Sequence, residues 1–251
     1  MRFIHVAPAI LMFAVSAGAQ TASELLGSGD QDYASMNAQG ALARYEQAAK
    51  LDPSSYEASW KASRSAVDIG SYSNDKSRRE ALFTSAEQYA RRAAQLNPGG
   101  AEGHFSLARA LGKTALTQSP RGRIRYATEI RSQALECLRI DPKHGGCLHV
   151  MGMWNAEVMR LNSITRLVAK NILGGRVFGA ASWKEAVRYM EASVANDPDR
   201  IVHYLDLAEV YRDVGEKAKS KVMYEAVLRM PATDVNDRFY KEQARSALGV
   251  H

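Results

Sequence analysis

The sequence predicts an all-α protein, an α-solenoid of stacked helix pairs with an extra helix inserted in the fourth unit. Three observations carry this. First, a phrase built around a proline recurs: KLDPSSYEASW (50–60), QLNPGGAEGHF (95–105), RIDPKHGGCLH (139–149), ANDPDRIVHYL (195–205) and a weaker LRMPATD (228–234). Its prolines, Pro53, Pro98, Pro142, Pro198 and Pro231, lie 45, 44, 56 and 33 residues apart. Second, small or apolar residues precede the first four prolines at constant offsets of i, i+4 and i+7. They are Ala41, Tyr45 and Ala48; Ala86, Ala90 and Ala93; Ile130, Ala134 and Cys137; Ala186, Met190 and Ser193. That spacing is one face of a helix. Third, the longest gap between prolines holds an apolar stripe of its own, Leu161, Ile164, Leu167, Val168 and Ile172.

The chain opens on MRFIHVAPAILMFAVSAGAQ, with Arg2, an apolar run from Val6 to Val15, then Ala17-Gly18-Ala19. This pattern predicts a cleaved export signal over 1–19, cut before Gln20. The run is shorter than the roughly 20 residues a spanning helix needs. No cysteine adjoins the cut, and no later stretch approaches 18 uninterrupted apolar residues. The expectation is an exported, soluble chain, periplasmic or secreted, with residues 20–251 forming one repeat domain.

Each proline ends one helix, because it biases the residue before it away from the α region. An amphipathic helix restarts a few residues later. The stretch VDIGSYSNDKSRRE (67–80) is polar and is expected to be a loop or extended turn. In TQSPRGRIR (117–125), Ser119-Pro120 fits an N-cap followed by proline at the first helical position. In 158–182, the stripe from Leu161 to Ile172 predicts the inserted helix, and Gly174-Gly175 would stop it. Ser182-Trp183-Lys184-Glu185 then reads as a capping box. The last full unit, Ile201 to Pro231, carries Tyr204, Leu207, Ala208 and Tyr211, a turn at Gly215, and Ala226. Each such unit must stack on neighbours to bury its stripe.

These units resemble tetratricopeptide repeats, which are about 34 residues long and end in a proline. The run from Asp141 to Pro231 further resembles the regulator-of-microtubule-dynamics family. The residues that carry it are DPKH, LHVMGMW, Ala156-Glu157, ITRLVAKNILGG, ASWKEAVRYMEASVANDP and LAEVYRDVGEKAKSK. The resemblance implies a helical-repeat binding protein; its animal members are linked to microtubules and organelle contacts. The fold and the binding role are what carry over.

The repeat register nominates a partner groove. Seven residues after the four clear prolines stand Trp60, Phe105, His149 and Leu205; eleven after stand Arg64, Arg109, Met153 and Glu209. Residues four apart share a helix face, and Glu157 lies one turn beyond Met153. Arg64 and Arg109, flanked by Trp60 and Phe105, are expected to hold an acidic or C-terminal carboxylate-bearing peptide, since guanidinium binds carboxylate bidentately. The alternative puts both aromatics in the inter-helix core and pairs the arginines with carboxylates such as Glu57 or Glu102. Leu148-His149-Val150-Met151 leads to Gly152, where this repeat class takes a small residue for close helix contact.

His144, Cys147 and His149 look like metal ligands at first sight. On a helix, however, Cys147 and His149 point about 200° apart, so no metal or cofactor is expected. Cys137 and Cys147, the two cysteines of the chain, flank Pro142 symmetrically. They form either a disulfide across the helical hairpin, worth at most about 3 kcal/mol for so short a loop, or two buried thiols. Two basic stretches remain. RGRIRYATEIR (121–131) reads as a solvated helix face. Arg160, Arg166, Lys170 and Arg176 surround the inserted stripe, which would cover the end of the groove or lie on a membrane surface.

The formal net charge of +6 falls by one when Arg2 is lost. That suits an acidic partner or a membrane surface; nucleic acid would need a concentrated patch, and export argues against it, so no nucleic-acid partner is expected. The chain has no Walker-type loop, H-E-x-x-H or C-x-x-C, which predicts a non-enzymatic scaffold.

Overall fold

The structure, a computed structural model, describes residues 20–161 and 177–250. Among the described residues it is all-helical: α1 (Ala22–Ala34), α2 (Ala38–Leu51), α3 (Tyr56–Ser71), α4 (Lys76–Leu96), α5 (Ala101–Leu116), α6 (Pro120–Ile140), α7 (Gly145–Arg160), a 3₁₀ turn (Phe178–Ala180), α8 (Trp183–Asn196), α9 (Ile201–Asp213), α10 (Lys217–Arg229) and α11 (Asp237–Leu248). Successive helices pair and the pairs stack, which is the expected α-solenoid. The signal peptide read over 1–19 lies outside the described residues, as does the inserted helix read over 161–172 beyond Leu161.

The proline-terminated helices are α2, α4, α6, α8 and α10. In the first four, the chain stops on Asp52, Asn97, Asp141 or Asp197, whose N–H still bonds back four residues, to Ala48, Ala93, Cys137 and Ser193. The next residue is proline in each, so the ladder cannot continue. Eleven of the twelve residues predicted to face inward are fully buried: Ala41, Tyr45, Ala48, Ala86, Ala90, Ala93, Ala134, Cys137, Ala186, Met190 and Ser193; Ile130 is partly buried against the Leu107–Leu111 cluster. Small side chains there let paired helices approach. Gly152, also buried, lies against Met190 of α8.

The N-caps follow the sequence. Ser55 Oγ accepts from Ala58 N–H at 3.1 Å, and Ser119 Oγ from Gly122 N–H at 3.4 Å with Pro120 opening the helix. Ser182 Oγ accepts from Glu185 N–H at 3.1 Å, but Glu185 turns its carboxylate to Arg188 instead of completing the box. Such a cap contributes about 1 kcal/mol. Gly215, at φ +84°, makes the predicted turn after α9.

One element departs from expectation. The polar stretch 67–80 is not an open loop: α3 runs on to Ser71 and α4 begins at Lys76. Val67, Ile69 and Gly70 are buried within it, and Asp75 caps α4 by accepting from Arg78 N–H at 3.1 Å. The extension is stabilised by burial between units, and local composition does not register that. The hairpin between α6 and α7 is closed by a Cys137–Cys147 disulfide, with Cα atoms 6.4 Å apart.

Candidate functional site

The stacked units enclose a concave cavity of about 860 Å³. Its wall comes from α3, α5, α7 and α9, the first helices of successive pairs, with the segment after α10 along one side. Seven of the nine register residues line it: Trp60 and Arg64 from α3, Phe105 and Arg109 from α5, and His149, Met153 and Glu157 from α7; Leu205 and Glu209 do not. The register fails one unit later. Leu205 is buried in the core with Ile201 and Ala208, packed on α10 and α11, and Val202 and Asp206 face the cavity in its place. There α9 presents a face one residue away from that of its predecessors.

Arg64 places its guanidinium carbon over Tyr33, 3.6 Å from the ring centre, and 5.1 Å from that of Trp60. It donates a long 3.4 Å hydrogen bond to Tyr45 Oη, and its Nε is buried with no partner. Arg109 is different. One of its terminal N–H groups donates to Asp68 Oδ1 at 2.6 Å, and Asp68 Oδ2 accepts from Tyr33 Oη at 2.9 Å. Arg109 is therefore paired within the chain, as the alternative reading had it, but with Asp68 instead of Glu57 or Glu102. The suggested alternative partners are also engaged elsewhere, since Glu57 pairs with Lys61 at 2.5 Å and Glu102 with His144 at 3.2 Å.

Lys113, one turn after Arg109, reaches the same cavity. Among the described residues it makes no ion pair. Its ammonium is held below the usual lysine range, first by burial and then by Arg109 nearby. Among the described residues, Arg64 and Lys113 are thus half-buried cavity-lining cations with no carboxylate at contact distance. Sequence reasoning passed over Lys113, although the signal was there. Fifteen residues after the four prolines stand Asp68, Lys113, Glu157 and Asp213, all charged.

On α7, His149 donates from Nε2 to Asp206 at 2.7 Å and stacks on His203, ring centres 4.8 Å apart. The Nδ1 of His203 is buried without a hydrogen bond. Burial foremost, then the neighbouring His149 and Arg200, push its pKa down to about 2, so the ring is neutral. His144 is the N-cap of α7: its Nδ1 accepts from Cys147 N–H at 3.2 Å. Burial lowers its pKa, but the Glu102 hydrogen bond and charge outweigh this, and the net shift is upward. The sulfurs of Cys137 and Cys147 and a ring nitrogen of His144 lie within 4.8 Å of one another. Because the sulfurs are bonded to each other, they offer a metal no thiolate.

Apolar surface completes the cavity. Trp154 donates from Nε1 to Ala127 O at 2.7 Å and stacks on Phe178 at 6.1 Å. Arg131 lies over the Trp154 ring at 5.5 Å, so part of the 121–131 basic stretch serves packing. Of the basic residues read around the inserted helix, Arg160 alone is described. It is engaged by Glu157 at 2.5 Å and Asp213 at 2.6 Å. No helix among the described residues is long and apolar enough to cross a membrane.

The helix pairs of the described residues, stacked with a cavity along their inner helices, define a repeat scaffold of the tetratricopeptide type. The solved structure of TTC0263, a tetratricopeptide-repeat protein of Thermus thermophilus, superposes with a TM-score of 0.65 at 19% identity, covering 92% of this chain and all of that one. A monomeric IFIT1 mutant solved with Gppp-AAAA gives 0.50 at 17% identity, covering 92% of this chain and 60% of that one. At these identities the likeness is one of fold. The sequence model described as Regulator of microtubule dynamics protein 1-3 matches residues 20–249, and the chain belongs to that family. Regulator of microtubule dynamics protein 1 of Bos taurus is 23% identical over 141 residues, which make up 56% of this chain and 44% of that protein. The chain thus spans less than half the length of this relative.

Proposed function

We propose that the chain is a non-enzymatic scaffold whose concave cavity binds an extended, acidic segment of a protein partner, after export from the cell interior. The observation that supports this reading most is the pair Arg64 and Lys113. Two half-buried cations without contact carboxylates are costly in a folded protein unless something else meets them. They stand beside Trp60, Tyr33 and Phe105, and aromatic and arginine side chains together are the usual anchors of protein recognition. Arg109 shapes the floor through Asp68 and is not a recognition residue. The property shared with the family, on this reading, is the binding cavity; microtubules themselves would not be met by an exported chain.

The test uses a fluorescein-labelled acidic peptide with a free C-terminal carboxylate, measured by polarisation against its neutral amide counterpart. Arg64→Glu and Lys113→Glu should each weaken the acidic peptide at least tenfold and leave the neutral one unaffected. Unchanged affinity in both variants removes the cavity from the function. Mass determination of the chain recovered from its native host checks the export reading: a product starting elsewhere than Gln20 refutes the proposed cut.

A further inference from the structure

The segment after α10 does not leave the solenoid; it folds back to the first units. Asn236 donates from Nδ2 to the backbone carbonyl of Asp68, 168 residues away, at 3.4 Å. Phe239 stacks on Tyr72 of the α3 end, ring centres 6.1 Å apart. From the same segment, Thr233, Asp234 and Asp237 line the cavity together with Tyr33, Arg109 and Arg200.

The segment is shaped before it is docked. Asp237 uses its carboxylate locally, accepting from the N–H groups of Thr233 and Asp234 at 2.8 Å each. Its base is pinned by Lys241, whose ammonium donates to the carbonyls of Leu228 and Met230 at the end of α10. Asp234 is therefore the group presented to the cationic wall. It meets Arg200 at 3.4 Å, and its Oδ2 is buried with no hydrogen bond. The cavity floor is tightly made at 2.6 and 2.9 Å around Asp68. The polar contacts that dock the folded-back segment, from Asn236 to Asp68 O and from Asp234 to Arg200, are longer at 3.4 Å each, and Phe239 is 39% exposed. An acidic segment thus sits at the cationic end of the cavity, anchored by the buried Asn236 and Asp237, and its Asp234 reaches Arg200 while Arg64 and Lys113 line the same cavity.

We infer that Thr233–Phe239 is a built-in latch that forms one wall of the cavity and that a partner's acidic extended segment displaces on binding. The inference rests on the binding reading above and adds its regulation. The incoming segment competes with Asp234 for Arg200 and offers carboxylates to Arg64 and Lys113, which the latch does not reach. Exchange is favourable when the partner supplies more charge at better geometry than Asp234 does.

The experiment uses the full chain and a labelled peptide of its own residues 230–239. A released variant, Asn236→Ala with Phe239→Ala, is compared with the unaltered protein, with helicity followed by circular dichroism. The released variant should bind the peptide at least tenfold more tightly, and a peptide with Asp234→Asn should lose that gain. Asp234→Asn in the full chain, which leaves packing intact, should raise affinity in the same direction even if the double variant is poorly folded. In the unaltered protein, saturating peptide should speed hydrogen exchange at the Thr233 and Asp234 amides. Equal affinity in all three proteins overturns the latch and leaves the binding reading standing. Absence of peptide binding to any of them, together with no binding of the acidic probe above, overturns both.

Discussion

Asp68→Asn is the sharpest test of how the cavity is built. Asp68 is 0% exposed and bridges Arg109 at 2.6 Å and Tyr33 at 2.9 Å. Asparagine keeps the volume and one acceptor but removes the charge, which leaves the Arg109 guanidinium without its counter-ion. Two unit charges about 4 Å apart at an effective dielectric of about 20 attract by about 4 kcal/mol. Breaking a buried pair from one side costs about 3–5 kcal/mol. Arg109 is 19% exposed toward the cavity, so water recovers part of the loss, and the expected cost is about 3 kcal/mol. For a chain of this size that corresponds to a fall in Tm of about 6–12 °C. Chemical denaturation of Asp68→Asn, Arg109→Met and the double variant closes the cycle. The double variant should be more stable than the sum of the single losses predicts, because replacing both partners by uncharged groups removes the orphaned charge. A coupling below about 0.5 kcal/mol would refute the pairing and return Arg109 to the cations free to bind a partner.

Four further outcomes are expected. Cys137→Ser with Cys147→Ser should lower stability by about 3 kcal/mol, the loop-closure value for so short a ring, measured by denaturant titration; no change would mean that the α6–α7 hairpin needs no covalent closure. Gly152→Ala should destabilise by about 1 kcal/mol, since its Cβ would meet the Met190 side chain and lie 3.1 Å from the Met190 nitrogen, an overpacking cost that exceeds the gain in helix propensity. Lys113→Met should stabilise the fold, read as a raised Tm, while abolishing capture of the acidic probe; a lowered Tm would mean that the ammonium is paired in solution. His203 is neutral when folded, but below about pH 6.5 the unfolded chain takes up its proton, so stability should fall with pH. The loss between pH 6 and pH 5 is about 1 kcal/mol, and His203→Phe should lack it.

What could be read from the sequence was what repeats locally. The triplets ending in Ala48, Ala93, Cys137 and Ser193 mark buried helix faces because helical spacing and side-chain size are both visible in one unit. The cap at Ser119 and the turn at Gly215 were readable for the same reason. The groove register held for three units because each inner helix starts at the same distance from its proline. It failed at Leu205, where α9 packs against α10 and α11 and its exposed face is set by tertiary contacts. The Cys137–Cys147 pair could be framed as bonded or free, and only the relative placement of α6 and α7 decides it. Charge pairing was not legible. Arg109 meets Asp68 across 41 residues, and that encounter depends on how one unit is rotated on the next, which no periodicity records.

The fold-back of the C-terminal segment changes what the cavity charges mean. In an open solenoid, Arg64 and Lys113 would be bathed in water, and an unmatched cation would carry little information, because solvent screens it. Here Asn236 and Phe239 join the last unit to the first, and the same charges face an enclosed space in which each interacts more strongly. That raises both the cost of leaving them unpaired and the gain when a carboxylate arrives. The position fifteen residues after each proline gives Asp68, Lys113, Glu157 and Asp213 on successive inner helices. Asp68 is engaged by Arg109, and Glu157 and Asp213 are engaged by Arg160. Lys113 alone in that series has no partner of its own among the described residues. The unmatched charge in the register is positive, and it lines the same cavity as the aromatic face that holds Arg64.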